Sequence, residues 1–414
     1  MSDCGCDTSD VKLVPYEEAL QNLLDHAQTV SGLDSVSTLD ALNRILADDL
    51  SSTINVPPAA NSSMDGYAIR LSDVNNEGVT RLEVTQRIPA GETGSQVEAG
   101  NAARIFTGAP IPPGADAVIM QEHVSTDGDT MSFEADVTLS QNIRDAGEDI
   151  KISQLVLEQG KRLLAQDLGL AASIGHGKLN VTRKIRVGIF FTGDELVEPG
   201  NPLSAGKIYD SNRYTLTGLL RSMDCDIVDL GIVGDTLTKT KEALQQASQN
   251  TDLIITSGGV SVGEEDYVRV ALEELGTLNM WRIKIKPGKP LAFGVVNETA
   301  FLGLPGNPVS VFATFCLFVS PYIKRLQGRS DTRPLPINVT AGFDWPRPDS
   351  RREFARARLV RDDQNQLIAE LYPSQSSGVL MSTSWADGFV VIPEDSRIQS
   401  GDSVHYYSFR DMLS

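Results

Sequence analysis

Residues 253–266 read LIITSGGVSVGEED, and this stretch decides the fold. The apolar run at 253–256 is typical of a buried strand, and the serine and two glycines that follow mark the turn that ends it. Similar apolar runs lie at 185–191 and 226–233, and segments with helical spacing separate the three runs, at 212–223 and 238–249. Because strands that alternate with helices pair in parallel, this order predicts an open parallel α/β sheet.

The pattern weakens on both sides of this core, which indicates a multidomain α/β protein. Towards the C-terminus we predict a helix, three extended segments and a long apolar helix, at 267–274, 280–285, 291–295, 300–304 and 308–326. The Gly-, Pro- and charge-rich segment 327–336 then precedes short strands. Towards the N-terminus, helical spacing at 16–30 and again at 38–46, after a possible Thr38 cap, flanks a β-rich stretch. We therefore expect the following parts: a disordered tail (1–11), an N-terminal helical and β-rich region (12–180, with a β-rich insertion at about 54–157), an α/β domain (181–327) and a small C-terminal β-domain (334–414).

The charge balance restricts the possible partners. The chain has 414 residues, with 36 basic and 55 acidic side chains and a net charge of −19. Nonspecific binding to nucleic acid or to an anionic membrane is therefore disfavoured, and an anionic substrate needs a local basic site or a metal. No apolar run approaches the ~20 residues of a membrane helix, and no signal peptide is recognisable, so we expect a cytoplasmic protein. The four cysteines and four scattered histidines suggest neither a disulfide framework nor a histidine-ligated metal.

Acidic and glycine-rich segments follow each predicted central strand, at 192–195 (TGDE), 234–235 (GD) and 257–259 (SGG). Ligands of open α/β sheets bind at this edge, where glycines let backbone amides approach a phosphate. Asp235 and Asp266 beside such a phosphate would hold Mg²⁺. Two simpler interpretations remain open: 257–259 is only a tight turn, and acids such as Asp210 and Asp266 only cap helices.

A basic constellation follows, with RIKIKPGKP at 282–290 and GLPGNPVS at 303–310. Strand alternation places Arg282, Lys284 and Lys286 on one face, and the prolines stiffen the turn that carries Lys289. Asn307 as the N-cap of a helix, with Pro308 in its first position, would direct Ser310 towards the same place. This local excess of positive charge in an acidic chain predicts an anion site, although a solvated basic strand remains the alternative. No HExxH, CxxC or Walker A pattern is present, which argues against zincin, redox and P-loop chemistry.

Taken together, eight strings closely resemble the MoeA family of molybdopterin molybdenumtransferases, whose relatives include the E-domain of gephyrin. They occur in the family order and the resemblance spans about residues 12–410. The strings are NSSMDGYA (61–68), TGAP (107–110), GED (147–149), TGDE (192–195), IYDSN (208–212), SGGVSVG (257–263), KPGKP (286–290) and GLPGNPVS (303–310).

The resemblance implies an elongated, four-part subunit whose central domain is similar to molybdopterin adenylyltransferases. It also implies a homodimer with an active-site cleft shared between subunits, and an enzyme that inserts molybdenum from molybdate into adenylylated molybdopterin with release of AMP. Mg²⁺ is the implied cofactor. Transient contacts with molybdopterin adenylyltransferase and with cofactor-receiving enzymes are expected, and contacts with nucleic acid or membranes are not.

The resemblance also assigns site residues in three groups. The implied catalytic group is Asp65, Thr107, Asp149, Glu195, Asp235 and Asp266, of which Asp235 and Asp266 also hold the metal. The implied substrate- and phosphate-binding group is Thr192, Asp194, Asp210, Ser257, Gly258, Gly259 and Arg282. The implied molybdate-binding group is Lys286, Lys289, Pro305, Pro308, Ser310, Arg352 and Ser377, and a one-residue slip is open at the last two positions in 351–352 and 374–377.

Two rival functions fit part of the sequence. An adenylyltransferase acting on molybdopterin would use the same α/β motifs, but it would not need the KPGKP and GLPGNPVS segments or the terminal additions. A scaffold that binds a partner's peptide, as gephyrin relatives do, would not need the acidic and basic site. Dependence on ATP distinguishes the first rival, and absence of both molybdate binding and AMP release would favour the second.

Overall fold

The computed structural model describes residues 13–259, 267–288 and 290–414. The predicted tail at 1–11 and two predicted site residues, Asp266 and Lys289, lie outside the described residues.

The first helix, Tyr16–Asp25, packs on the central domain rather than within the N-terminal region. Its apolar residues recur at helical spacing, so Ala19, Leu20 and Leu23 share one buried face. That face joins the core cluster that contains Ile283 and Tyr322. The first described helix therefore packs against the α/β domain.

The second predicted packing helix is wrong. Strand Leu33–Ser37 pairs antiparallel with Lys178–Thr182, and only a single 3₁₀ turn, Thr38–Asp40, follows it. The Ser37 hydroxyl, not Thr38, accepts the capping hydrogen bond, from the Leu39 amide. Leu39 is 87% exposed and Leu42 48% exposed, so the apolar spacing does not correspond to a buried helix face. Pairing with a strand about 140 residues away overrides the local pattern.

A β-rich insertion occupies the middle of the N-terminal region. Its six-stranded sheet has apolar side chains on both faces, which form two separate core clusters. In spatial order its strands are Ala117–Met120, Gly66–Ile69, Asn101–Ile105, Thr80–Ile88, Thr130–Phe133 and Ser125–Asp127. The remaining elements of the region are Leu50–Ser51 paired with Leu155–Leu157, Asn61–Ser62 paired with Ile143–Arg144, the 3₁₀ turns Leu71–Asp73 and Gln121–His123, and helix Ala165–Ser173.

The central sheet is mixed, which corrects the expectation of a parallel one. Its strands in spatial order are Asp226–Val233, Arg186–Thr192, Leu253–Ser257, Thr299–Leu304, Pro290–Val296 and Gly276–Arg282. The first four are parallel, and the last two continue the sheet by antiparallel pairing. The reason is the two-residue turn at Asn297 and Glu298, which both have positive φ. Such a turn joins neighbouring strands as a tight hairpin and so makes them antiparallel.

Helices cover both faces of the central sheet. They are Ser211–Ser222, Leu237–Ser248, Tyr267–Leu275 and the long apolar helix 308–326, which consists of Pro308–Thr314, a π-helical segment Phe315–Val319 and Ser320–Leu326. Within the described residues, Pro308–Leu326 is the one helix long and apolar enough to cross a membrane, with 19 residues and a mean hydropathy of 1.3. Its apolar window is 89% buried inside the protein, so it is the core helix of the central domain.

The C-terminal domain is a small barrel. Strand Arg352–Arg361 pairs with Leu367–Leu371 on one side and with Gly388–Ile392 on the other, and Ile337–Ala341 and Ser403–Ser408 close the ring between them. Two short helices, Met381–Trp385 and Phe409–Leu413, complete the domain. Strand Ile285–Lys286, which belongs in sequence to the central domain, adds to this barrel beside Arg352 and Glu353. The basic segment is thereby held between the two domains.

Candidate functional site

The parallel strands of the central sheet end together. In the register of the sheet Thr192 lies beside Val233, Phe191 beside Ser257, and Ser257 beside Leu304. The segments that follow these strands therefore meet at one edge, as expected for the ligand side of an open α/β sheet. These segments are 192–195, 234–235, 257–259 and 305–308.

The turn at Ser257, Gly258 and Gly259 requires its glycines. Gly258 and Gly259 have φ of +94° and +64°, a region that L side chains rarely adopt. A Cβ on Gly258 would lie 3.0 Å from the Thr192 carbonyl oxygen, and one on Gly259 would lie 2.7 Å from Val268. The Gly258 amide donates to the Leu304 carbonyl (3.2 Å). That amide is therefore already used, which leaves less of the turn available for a phosphate than the sequence predicted.

Asn212 links this turn to the segment at 305–308 by hydrogen bonds. Its Nδ2 donates to Ser257 Oγ at 2.9 Å and to the Gly306 carbonyl at 2.8 Å. Ser257 Oγ in turn donates to the Pro305 carbonyl at 3.3 Å. Asn212 belongs to the IYDSN string, but the sequence indicates no role for it, because residue spacing alone does not reveal that its amide joins two loops.

Two buried oxygens near this turn have no hydrogen-bond partner among the described residues. Asp210 is 1% exposed and caps helix Ser211–Ser222 by accepting from the Arg213 amide (3.1 Å), as predicted, yet its Oδ2 accepts nothing. Burial raises the pKa of Asp210, and the hydrogen bond from Arg213 opposes that rise. The Oδ1 atom of Asn212 is the second free acceptor.

Both acceptors belong to residues that line a cavity of about 290 Å³, here called the sheet-edge cavity. Five further predicted site residues line it, namely Thr192, Glu195, Ser257, Gly258 and Pro308. Aromatic and apolar side chains from Phe191, Ile208, Tyr209 and Leu380 complete its wall. A cavity that combines apolar walls with a few fixed polar groups is typical of a small-molecule site.

A second cavity, of about 660 Å³, lies between the central and C-terminal domains and is here called the interdomain cavity. Its lining includes Gly258 and Gly306, which also line the sheet-edge cavity. It brings together six of the predicted site residues, namely Gly258, Gly259, Lys286, Pro305, Ser310 and Ser377. Asn307 and Arg351 also line it. The two cavities therefore form adjoining parts of one cleft.

The structure places Arg351, rather than the predicted Arg352, at this cavity. Arg352 begins a strand, and its guanidinium contacts Glu17 and lies 3.3 Å from Glu394. Successive residues of extended chain point to opposite sides, so the one-residue slip changes which arginine faces the cavity. The prediction that Asn307 caps a helix is only partly confirmed. Asn307 occupies the N-cap position of Pro308–Thr314, but its side chain makes no capping hydrogen bond.

Arg356, which is fully buried, forms hydrogen bonds to the serine-rich loop at 374–377. Its guanidinium donates to the carbonyls of Ser374 (3.3 Å) and Ser376 (3.1 Å) and to Ser382 Oγ (3.1 Å). Burial lowers the pKa of Arg356 to about 10. The Val309 amide donates to the Ser377 carbonyl (3.1 Å), which ties the loop to the start of the long helix. No sequence motif indicates this role for Arg356.

The N-terminal predicted residues form a separate group. The Thr107 amide and hydroxyl both donate to Asp65 Oδ1 at 2.8 Å, and these hydrogen bonds lower the pKa of Asp65, the one from the amide most. Asp149 is exposed in a turn, and its backbone amide donates to the Val56 carbonyl. None of the three residues lines either of the two cavities. Within one subunit they are not part of the cleft.

Three other predicted residues also line neither cavity. Asp194 is exposed, and its carbonyl accepts from Lys207 Nζ. Asp235 follows its strand as expected, at the same sheet edge. Arg282 ends strand Gly276–Arg282, where its carbonyl accepts from the Val14 amide (2.9 Å). Within the described ranges, no three acids, cysteines or histidines gather into a metal cluster.

Comparison with known proteins covers nearly the whole chain. Three family models match in order: the MoeA N-terminal region (domains I and II) at residues 14–175, a probable molybdopterin-binding domain at 188–325, and the MoeA C-terminal region (domain IV) at 338–409. The molybdopterin molybdenumtransferase of Haemophilus influenzae is 38% identical over 405 residues, 97% of this chain and 100% of that protein. The chain belongs to the MoeA family.

Other members of the MoeA family agree in sequence and in structure. The molybdopterin molybdenumtransferase of a Nostoc species is 34% identical over 92% of this chain and 90% of its own length. Gephyrin of Dictyostelium discoideum is 31% identical over 93% of this chain, which spans 61% of gephyrin. The crystal structure of the MoeA protein of Pyrococcus horikoshii superposes with a TM-score of 0.82 at 31% identity, covering 96% of this chain and 100% of that one. The multidomain fold is thus that of the family.

Proposed function

We propose that this chain is a molybdopterin molybdenumtransferase, which transfers molybdenum from molybdate to adenylylated molybdopterin and releases AMP. The observation that carries the proposal is the pair of adjoining cavities. They share Gly258 and Gly306, yet one is bordered by buried oxygen acceptors and the other by Lys286 and Arg351. A reaction that joins a pterin nucleotide to an oxyanion needs two such compartments side by side.

The sheet-edge cavity is the proposed compartment for the pterin nucleotide. Asp210 Oδ2 and Asn212 Oδ1 are buried acceptors with no donor among the described residues, and burying them costs free energy unless N–H or O–H groups, such as those of a ligand, reach them. A pterin ring carries such N–H groups. The wall of this cavity includes Thr192 and Ser257, and it also includes Gly258, which lines the interdomain cavity as well. In this arrangement Glu195 lies at the cavity wall, where it can accept a proton or orient a water molecule.

The interdomain cavity is the proposed compartment for molybdate, which is the substrate. Lys286 and Arg351 supply positive charge, and Ser310 and Ser377 supply hydroxyls. Charge-assisted hydrogen bonds from these groups suit a tetrahedral dianion. Lys289, from the same KPGKP segment, belongs to the predicted set but lies outside the described residues. Pro305 lines the interdomain cavity, and Pro308 lines the adjoining sheet-edge cavity.

Magnesium is a further part of the proposal. Mg²⁺ is usually bound by one or two carboxylates together with substrate phosphates. Asp235 and Asp266 would hold the ion, which would neutralise charge on the pyrophosphate when bound. In the proposed reaction, water attacks the phosphoanhydride, AMP leaves, and molybdate loses an oxo group as water as the dithiolene sulfurs bind molybdenum.

We further propose that the enzyme is a cytoplasmic homodimer. Asp65, Thr107 and Asp149 line neither cavity of their own subunit, which is consistent with their serving the cleft of the other subunit. In the N-terminal region the guanidinium carbons of Arg87 and Arg104 also lie 4.4 and 4.5 Å from the centroid of the Phe106 ring, next to Thr107 in sequence. A basic and aromatic surface of this kind complements the acidic sheet edge. Adenylyltransferase and cofactor-receiving enzymes remain the expected transient partners.

The decisive experiment follows AMP release from adenylylated molybdopterin by the purified protein with Mg²⁺, in the presence and absence of molybdate. Metal-loaded cofactor is measured in parallel by reconstitution of an apo-molybdoenzyme. We expect AMP release that depends on molybdate and coincides with reconstitution. A requirement for ATP with unadenylylated molybdopterin would instead indicate an adenylyltransferase, and absence of both activities in a folded protein would contradict the proposal.

A further inference from the structure

Each cation that the structure describes on the wall of the interdomain cavity is already in contact with a carboxylate. Lys286 Nζ lies 3.0 Å from Glu353 Oε2, and Arg351 contacts Asp349 at 3.2 Å. An empty anion site would be expected to present free positive charge. Here the positive charge is balanced before any substrate arrives.

Glu353 is an unusual partner because it is almost fully buried. Its side chain is 1% exposed, whereas that of Lys286 is 39% exposed towards the cavity. Burial raises the pKa of Glu353, and the adjacent positive charges of Lys286 and Arg356 oppose that rise. A buried carboxylate is tolerated when cations compensate it, and removing one partner of such a pair is costly. Glu353 therefore offsets positive charge on the Lys286 side of the cavity wall as well as that of Arg356.

The backbone fixes this arrangement. Lys286 and Glu353 are direct neighbours in the parallel pairing of Ile285–Lys286 with strand Arg352–Arg361. Asp349 is fixed by its own turn, in which Oδ1 accepts from the Arg351 amide at 2.9 Å and from Arg351 Nε at 3.3 Å. Each carboxylate therefore contacts a cation that lines the cavity, and neither carboxylate lines the cavity itself.

We propose that Glu353 and Asp349 are positioning residues that weaken the affinity of the cavity for its oxyanion by balancing the charge of Lys286 and Arg351. The inference rests on the proposed function and deepens it. A dianion that binds there is attracted by the two cations and repelled by the two carboxylates behind them. Weaker ground-state binding favours transfer, because an oxyanion held too tightly by Lys286 and Arg351 would leave slowly for the dithiolene.

The test measures molybdate binding to the full-length protein by calorimetry at fixed ionic strength, for Glu353→Gln and Asp349→Asn. Each change removes one charge while nearly keeping the shape. We expect each variant to bind molybdate about tenfold more tightly than the unaltered protein. In the coupled assay, Glu353→Gln is expected to lower the KM for molybdate and also to lower kcat. The matched control is Asp363→Asn, which removes an exposed carboxylate at the opposite end of strand Arg352–Arg361.

Unchanged or weaker molybdate binding in both variants would overturn the inference and leave the proposed function intact. Failure of every variant and of the unaltered protein to bind molybdate would instead remove the proposed function and the inference with it. If Glu353→Gln does not fold, Asp349→Asn decides alone, because Asp349 is 30% exposed and its substitution disturbs no buried core.

Discussion

Asn212 Nδ2 lies 2.9 Å from Ser257 Oγ and donates a hydrogen bond to it, while the same amide reaches the carbonyl of Gly306. One side chain at the start of a helix thus joins two loops that follow neighbouring strands. Ser257 lines the sheet-edge cavity, and Gly306 lines both cavities. The Asn212 amide therefore reinforces the junction between the two compartments, together with the hydrogen bonds from Ser257 to Pro305 and from Gly258 to Leu304.

Replacement of Asn212 by Ala should separate the two loops. We expect the free energy of unfolding to fall by about 1–2 kcal/mol, because one partly buried and one exposed hydrogen bond are lost. The rate of AMP release should fall more, by about tenfold or greater, because small misplacements of reacting groups are costly. Chemical denaturation and the AMP assay measure the two effects. Asn250→Ala, at an exposed helix end, is the control, and equal losses of activity in both variants would contradict this role.

The proposed sharing of the cleft between two subunits predicts complementation between two inactive variants. Asp65→Ala alters the N-terminal group, and Lys286→Ala alters the interdomain cavity. If each cleft combines these parts from different subunits, a mixed dimer contains one intact cleft. Co-expression of the two variants should then restore about a quarter of the unaltered activity, since half of the dimers are mixed and each has one working site. No recovery in dimers proven to be mixed would argue that each subunit works alone.

Arg356 should affect molybdate more than the pterin nucleotide. Arg356→Met removes the donors that hold the carbonyls of Ser374 and Ser376, so the loop that carries Ser377 is released. We expect a loss of stability of about 3–5 kcal/mol, as for other buried charged networks, and a rise in the KM for molybdate with little change in that for adenylylated molybdopterin. Arg358→Met, two residues along the same strand and half exposed, is the comparison. Equal rises in both KM values would point to general damage.

Lys324 predicts a dependence of stability on pH. It is 2% exposed with one hydrogen bond to the Asp411 carbonyl, and burial, followed by repulsion from Arg329, lowers its pKa to about 8 from 10.5. Between these two values the unfolded chain keeps a proton that the folded chain has lost. Stability attributable to this residue therefore increases as pH rises from about 8 towards 10.

Lys324→Met should remove that increase. At pH 7 we expect the variant to be as stable as the unaltered protein or more stable, by up to about 3 kcal/mol, because the burial of a charge is relieved. Urea denaturation at pH 7 and pH 9.5 gives the comparison. The exposed Lys178→Met serves as control. A parallel rise in stability with pH in the Lys324 variant would assign the effect to other groups.

The sequence predicted much of the central domain, for a clear physical reason. The strands Arg186–Thr192 and Leu253–Ser257 are largely apolar and buried because both faces of the sheet are covered, and the glycines after them have positive φ. Such patterns are local and can be read residue by residue. Membership of the MoeA family followed from the same local strings in order, and the comparisons confirm it.

Other features depended on contacts between distant parts of the chain. The helix expected at 38–46 is reduced to the 3₁₀ turn Thr38–Asp40, which follows the pairing of Leu33–Ser37 with Lys178–Thr182. The choice of Arg351 over Arg352 depends on where strand Arg352–Arg361 begins.

The sequence by itself determined the family, the α/β core and most residues of the two cavities, because these are written in local apolar periodicity and in glycine- and proline-containing turns. Only the tertiary structure decided which charges stand behind the cavity wall, because Glu353 meets Lys286 through strand pairing across 67 positions of sequence. The spacing of residues within either segment therefore does not predict this ion pair.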